Sequence, residues 1–154
     1  HHDYPGYIKW MEEAHCPICN YETSWQDEDL IMRLDNCTVY SSIKAQGGLW
    51  GKCVVVSRKH VIDLYDFTPE ELAGFWADVR KIMISLKEVT GAVSVNIELH
   101  GNAIPHLHIH LFPRYLDDLH AGKPIDYNIT EPPAYESKAE YDYFIRQMRE
   151  KLTK

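Results

Sequence analysis

A chain of 154 residues with 16 lysines and arginines against 23 aspartates and glutamates carries a formal charge of −7, which excludes a broad basic face for bulk nucleic acid. Its 45% hydrophobic and 25% charged residues are the balance of one globular domain, long enough to bury a core without staples. No apolar run approaches the roughly 20 residues of a membrane span and the amino terminus is not of signal type, so the expected location is the cytoplasm.

The first predicted element is a helix over 3–14, with Tyr7, Trp10, Met11 and Ala14 on one face; the two histidines before it are assigned no function. It leads into Cys16-Pro17-Ile18-Cys19. The chain has four cysteines, Cys16, Cys19, Cys37 and Cys53, and without a secretory signal a disulfide framework is not expected. A C-x-x-C pair then reads as metal binding or redox chemistry. A redox motif would follow a strand and open a helix; this one follows an aromatic amphipathic stretch and enters a polar loop, so metal is the better reading.

Two short strands are predicted over 29–34 and 38–43, with Asp35 and Asn36 as their turn. A glycine-rich loop covers 45–52. The run KCVVVSR, 52–58, is a strand rich enough in β-branched residues to be buried on both faces. Thr68-Pro69-Glu70-Glu71 starts a helix, with threonine as cap, proline at the first helical position and glutamate three residues beyond the cap. Leu72, Phe75, Trp76, Val79, Ile82, Met83 and Leu86 keep the helical period as far as Val89, and Gly91 ends it. Strands over 92–99 and 104–112 follow, joined by a short turn, His100-Gly101-Asn102-Ala103. A stretch marked by proline and glycine, 113–133, precedes a last helix over 138–152. This order implies an α+β fold, a mostly antiparallel sheet with helices packed on one face, in a single domain over 1–154.

The stretch PHLHIHLFPRY concentrates the chemistry. Alternation along a strand puts His106, His108 and His110 on one face and Leu107, Ile109 and Leu111 on the other. An exposed polar face would sooner use threonine, lysine or glutamate, since clustered imidazoles repel one another when protonated. Two chemical uses remain. The histidines could ligate a catalytic metal, as His-x-His on a strand offers two imidazoles to one ion. Alternatively the middle ring is a nucleophile toward phosphorus, its neighbours orienting it and donating to phosphate oxygens. Arg114 is a fixed cation suited to phosphate, Asn102 sits in the turn before the histidines, and Asn96 lies on the preceding strand. Their convergence suits an anion site.

The run NIELHGNAIPHLHIHLFPRY resembles the histidine triad (HIT) nucleotide hydrolases and transferases, whose signature alternates three histidines with apolar residues. His106, Leu107, His108, Ile109, His110, Leu111 and Phe112 match every position. The Gly101-Asn102-x-x-Pro105-His106-Leu107-His108 form and the trailing Pro113-Arg114-Tyr115 resemble a bacterial-type branch labelled diadenosine tetraphosphate hydrolase-like. The likeness includes the lead-in GKCVVVSRKHVIDLYDFT, 51–68, and so spans roughly 16–115, leaving 116–154 as a C-terminal extension. It implies a HIT-like α+β fold, with about five antiparallel strands, one long helix and terminal helices, in a homodimer. It also implies a reaction at the α-phosphate of a nucleotide conjugate, a dinucleoside polyphosphate or a nucleoside phosphoramidate with adenine as the expected base. By resemblance His108 is the nucleophile, His110 and Asn102 contact the α-phosphate, and Asn96 lies near the substrate. Some members hold a structural zinc, and the matching residues here are Cys16, Cys19, His60 and His106.

The chain departs from the pattern in three places. Lys52 follows Gly51 where many members carry histidine. The stretch Tyr40-Ser41-Ser42-Ile43-Lys44 lacks the acidic residue that grips ribose hydroxyls in many members. The turn between Asn96 and Asn102 is one residue shorter. Among other residues, Trp50 is expected in the core or a dimer contact rather than stacked on a base, Arg58 and Lys59 are either phosphate-steering or solvated, and His100 and His120 are loop histidines. Two rival readings stay open: a metal-dependent hydrolase that uses the histidine strand as ligands, and a non-catalytic nucleotide-binding module.

Overall fold

The computed structural model describes residues 4–44 and 48–154; the two leading histidines, Asp3 and residues 45–47 of the glycine-rich loop lie outside the described residues. The elements are α1 (Tyr4–Trp10), β1 (Leu30–Arg33), β2 (Cys37–Ser41), β3 (Cys53–Ser57), α2 (Pro69–Thr90), β4 (Ser94–Glu98), β5 (His108–Arg114) and α3 (Lys138–Thr153). The strands form one antiparallel sheet in the order β1-β2-β3-β5-β4. This is the α+β architecture the residue pattern predicts.

The alternation of strand side chains divides the sheet into a core face and a site face. Cys37, Val39, Cys53, Val55, Ile109 and Leu111 pack on Phe75, Val79, Ile82 and Leu86 of α2 and on Tyr141, Phe144, Ile145 and Met148 of α3. Both long helices thus cover one face. Helix α2 begins as expected: the Thr68 hydroxyl accepts from Glu71 N at 3.2 Å and the Glu71 carboxylate accepts from Thr68 N at 2.9 Å. It ends at Gly91, whose φ of 70° is open to glycine without strain. The β1–β2 turn is pinned to this helix, with Asn36 N donating to Asp78 Oδ2 at 2.8 Å.

Two elements differ from the sequence expectation. Helix α1 is seven residues long rather than twelve, and a 3₁₀ turn over Glu13–His15 follows it. The Met11 carbonyl accepts from His60 Nε2 at 2.8 Å instead of from a continued helix. Strand β5 begins at His108, not at 104, because Leu107 N leaves the ladder and donates to Val61 O at 2.8 Å. It then runs on through Pro113. That is allowed because pairing with β3 stops at Leu111 while β4 continues alongside, so a missing N–H is tolerated there.

Beyond β5 the chain returns across the site face. Ile125 packs on Phe112 and Leu49, and Tyr127 meets the rings of His110 and Phe112 edge-on at 6.5 and 6.1 Å. Tyr135 then enters the helical core, where its hydroxyl accepts from Gly51 N at 3.0 Å.

Candidate metal cluster and histidine face

The two cysteines and two histidines set apart by the sequence converge where α1, the end of β3 and the start of β5 meet. The ligand atoms of Cys16, Cys19, His60 and His106 all lie within 4.8 Å of one another. Nδ1 of His106 is 3.5 Å from Cys16 Sγ, 3.4 Å from Cys19 Sγ and 3.2 Å from His60 Nδ1, and Cys19 Sγ is 3.3 Å from His60 Nδ1. Ligands placed tetrahedrally around zinc at ordinary bond lengths stand about 3.3–3.8 Å apart, so these donors fit that ion. Each ring nitrogen facing away from the cluster is committed: His106 Nε2 donates to Ser57 O at 2.7 Å, and His60 Nε2 to Met11 O. Those bonds select the tautomer that turns the Nδ1 lone pair inward. Burial holds His106 below its ordinary pKa, which keeps it an unprotonated donor. Burial and the adjoining Cys16 push the Cys19 thiol up to about 12; a divalent cation opposes that by stabilising thiolate.

His106 lies before β5 and belongs to the cluster, whereas His108 and His110 stand on the site face with ring centroids 5.5 Å apart. His108 Nδ1 donates to the His106 carbonyl at 2.7 Å, leaving Nε2 as the acceptor end of the ring. Burial first, with the Lys52 charge added, keeps His108 below its ordinary pKa despite that bond. His110 is pushed down to about 3 by burial, by Lys52 and then by His108 and His100. Both rings are therefore neutral near pH 7, as a nitrogen nucleophile and its partner must be. Across β5 the register sets Val56 beside His108, Val54 beside His110 and Glu98 beside His110.

A cavity of about 920 Å³ opens on the β1–β2 side of this row, with Val56, Thr38, Tyr40, Trp25 and Arg33 in its wall. Trp25 stacks on Tyr40 at 5.0 Å and 15°, a flat aromatic shelf. Sequence reasoning missed this shelf. Tyr40 shares its face with the histidines by alternation, but nothing in the sequence places Trp25 over it.

Other expected residues lie elsewhere. All five N–H donors of Arg114 are used inside the chain: Asp118 accepts two, and Asn96 Oδ1, Lys123 O and His120 O accept the rest, at 2.6–3.0 Å. The expected phosphate cation is thus a clasp on the returning segment, and Asn96 is part of that clasp. Asn102 is exposed on the β4–β5 connection. Arg58 donates to Leu34 O and Lys59 pairs with Glu71 at 2.6 Å. Trp50 packs on Phe144 at 5.0 Å and donates to Glu140, a core position. His120 is 3% exposed, held in the clasp rather than on a free loop, while His100 stays accessible beside Glu98.

The comparisons with known proteins agree on the fold. The HIT domain family model matches residues 24–117. A segment of 69 residues is 33% identical to the asymmetrical bis(5'-nucleosyl)-tetraphosphatase of Schizosaccharomyces pombe, covering 42% of this chain and only 38% of that protein. A histidine triad protein from Bradyrhizobium japonicum superposes with a TM-score of 0.70 at 24% identity, over 84% of this chain and 97% of that one. A zinc-bound histidine triad family protein from Mycobacterium smegmatis superposes with a TM-score of 0.64 at 20% identity, over 92% and 96%.

Proposed function

The chain belongs to the HIT domain family, and from that premise we propose that it is a nucleotide hydrolase or nucleotidyl transferase acting at the α-phosphorus of a nucleotide conjugate. The observation that carries this reading is the hydrogen bond from His108 Nδ1 to the His106 carbonyl, which leaves a neutral, half-buried Nε2 free to attack. Nε2 bonds to phosphorus while the bond from phosphorus to the leaving atom breaks, that atom taking the electron pair and a proton from solvent, which the water of the second step returns to solvent when it loses its own. Water then adds to phosphorus, the phosphorus–nitrogen bond breaks with its pair returning to Nε2, and nucleoside monophosphate departs. His110 and Asn102 bind the α-phosphate oxygens. Asn96 and Arg114 support the site by holding the returning segment over it.

The substrates are adenine nucleotide conjugates, dinucleoside polyphosphates or nucleoside phosphoramidates. The aromatic shelf of Trp25 and Tyr40 and the partial likeness to a tetraphosphatase support this class. Cys16, Cys19, His60 and His106 would hold a structural zinc ion, which would tie the N-terminal segment to the foot of the histidine strand. Because these four protein ligands close a tetrahedral site to water, they give no support to a metal-dependent hydrolase.

The functional unit is a homodimer formed at the β4 edge. That strand is an edge of the sheet among the described residues, and an apolar groove beside it is lined by Trp76, Met83, Ile84, Val93 and Ile97. No helix among the described residues is long and apolar enough to cross a membrane, and four free cysteines suit the reducing cytoplasm.

The decisive experiment is to incubate the protein with radiolabelled diadenosine tetraphosphate, quench with acid, and map the label. Label on His108 and a loss of at least about 10³-fold in turnover for His108→Ala are expected. Near-normal turnover by that variant overturns the mechanism, and tight binding of adenosine monophosphate without turnover of any conjugate points instead to a binding module.

A further inference from the structure

The reaction proposed above needs a proton on the leaving atom, and the histidines of the row are ill suited to give it. Burial first, then neighbouring charges, push His110 down to about 3, so its ring has no acidic proton to spare near pH 7. His106 is committed to the metal cluster, and His108 to the attack on phosphorus. The Tyr127 hydroxyl donates to Glu98, and burial and then that bond make it hold its proton more tightly than usual.

A further histidine stands beside the row. Tyr40 is paired with Val54, Val54 with His110, and His110 with Glu98, so one line of side chains crosses the site face from the aromatic shelf on β2, over His110 on β5, to Glu98 on β4. Because β4 is antiparallel to β5, its last residues lie beside the start of β5, where His108 stands, and His100 follows directly beyond that end. His100 Nε2 lies 3.5 Å from Glu98 Oε2. The Tyr127 ring meets both His100, at 6.1 Å, and His110, and the charge of His100 is felt at His110. The Glu98 side chain is 17% exposed and that of His100 55%. A carboxylate set against one ring nitrogen orients an imidazole and stabilises the imidazolium. Here that leaves Nδ1 for a substrate, on a ring open enough to exchange protons with solvent.

The line has two sides. The aromatic-lined cavity lies toward β1 and β2, with Thr38, Tyr40 and Val56 in its wall, and β4 borders β5 on the opposite side. A conjugate with its nucleoside in the cavity and its α-phosphorus at His108 directs its leaving group across β5 toward β4. Resting on the hydrolase reading above, we propose that His100, held by Glu98, is the general acid that protonates the leaving atom. As His108 Nε2 bonds to phosphorus, the bond to the leaving atom breaks with its pair on that atom, which takes the Nδ1 proton of the His100 imidazolium. In the second step the neutral ring takes a proton from the attacking water, while the phosphorus–nitrogen pair returns to His108. His100 thus carries the proton otherwise exchanged with solvent, and it serves conjugates whose leaving groups are too basic to depart as anions.

The test follows leaving-group release in a single turnover, with enzyme in excess, from two substrates that share the adenylyl group. Adenosine 5'-phosphoramidate must shed ammonia, which requires a proton. The p-nitrophenyl ester of adenosine monophosphate sheds p-nitrophenolate, a stable anion that requires none. His100→Gln should slow the phosphoramidate at least about 100-fold, the usual contribution of a general acid, and leave the ester within about threefold of wild type. An equal fall on both substrates, or no fall on the phosphoramidate, overturns the proposal and leaves the hydrolase reading standing. His100→Asn supplies the same comparison should His100→Gln not fold. If wild type releases neither leaving group, the hydrolase reading itself fails and the role of His100 falls with it.

Discussion

At the scale of single residues, His60, His106 and His108 each take their role from the bond made by the other ring nitrogen. His60 and His106 give Nε2 to carbonyls and turn Nδ1 to the cluster, whereas His108 gives Nδ1 to a carbonyl and keeps Nε2 for chemistry. Sequence identity cannot distinguish these uses, because the choice lies in which carbonyl is near. Arg114 makes the same point: its type suits phosphate, but its neighbours consume every donor. Arg114→Met should cost about 3–5 kcal/mol, since it strands the buried Asp118 carboxylate; urea denaturation measures it. The pair also sets a pH dependence. Arg114, followed by backbone donors, lowers Asp118 from 3.8 to about 2. The folded carboxyl thus binds its proton more weakly than the unfolded one, and its stabilisation is present above about pH 4 and lost as pH falls toward 2. Urea melts of wild type and Asp118→Asn at stepped pH should converge over that interval; a constant gap there refutes the assignment.

At the scale of elements, local chemistry predicted α2 well and β5 only in part. The Thr68 cap, Pro69 and Gly91 act through neighbours within four residues, so they can be read directly from the chain. Thr68→Ala should destabilise by about 1 kcal/mol with little effect on turnover, as thermal melts and an activity assay would establish. The true start of β5 was hidden because alternation continues through Leu107, while the ladder ends where Val61 captures its N–H. Helix α1 was overestimated for a related reason. Its predicted apolar stripe is only partly covered, with Met11 40% exposed and Ala14 exposed, and helices this short depend on packing more than on propensity.

At the scale of the whole molecule, the cluster joins residues up to 90 positions apart, so a bound metal would act on global stability. Elemental analysis should find about one zinc per chain. Chelation or Cys16→Ser should lower the melting temperature and remove activity along with it, whereas loss of activity with an unchanged melting curve would favour a catalytic metal. By itself the sequence determined the α+β class, the long helix with both its ends, the alternation that separates the histidines from Leu107, Ile109 and Leu111, and a resemblance strong enough to nominate the four metal donors. Each follows from local periodicity, capping or a short motif. Only the tertiary structure decided that Arg114 clasps the returning chain, that Trp25 lies on Tyr40, and that Lys52 is buried with no carboxylate paired to it among the described residues. Those facts depend on which distant segments meet, and on whether a charged group finds its partner within the chain.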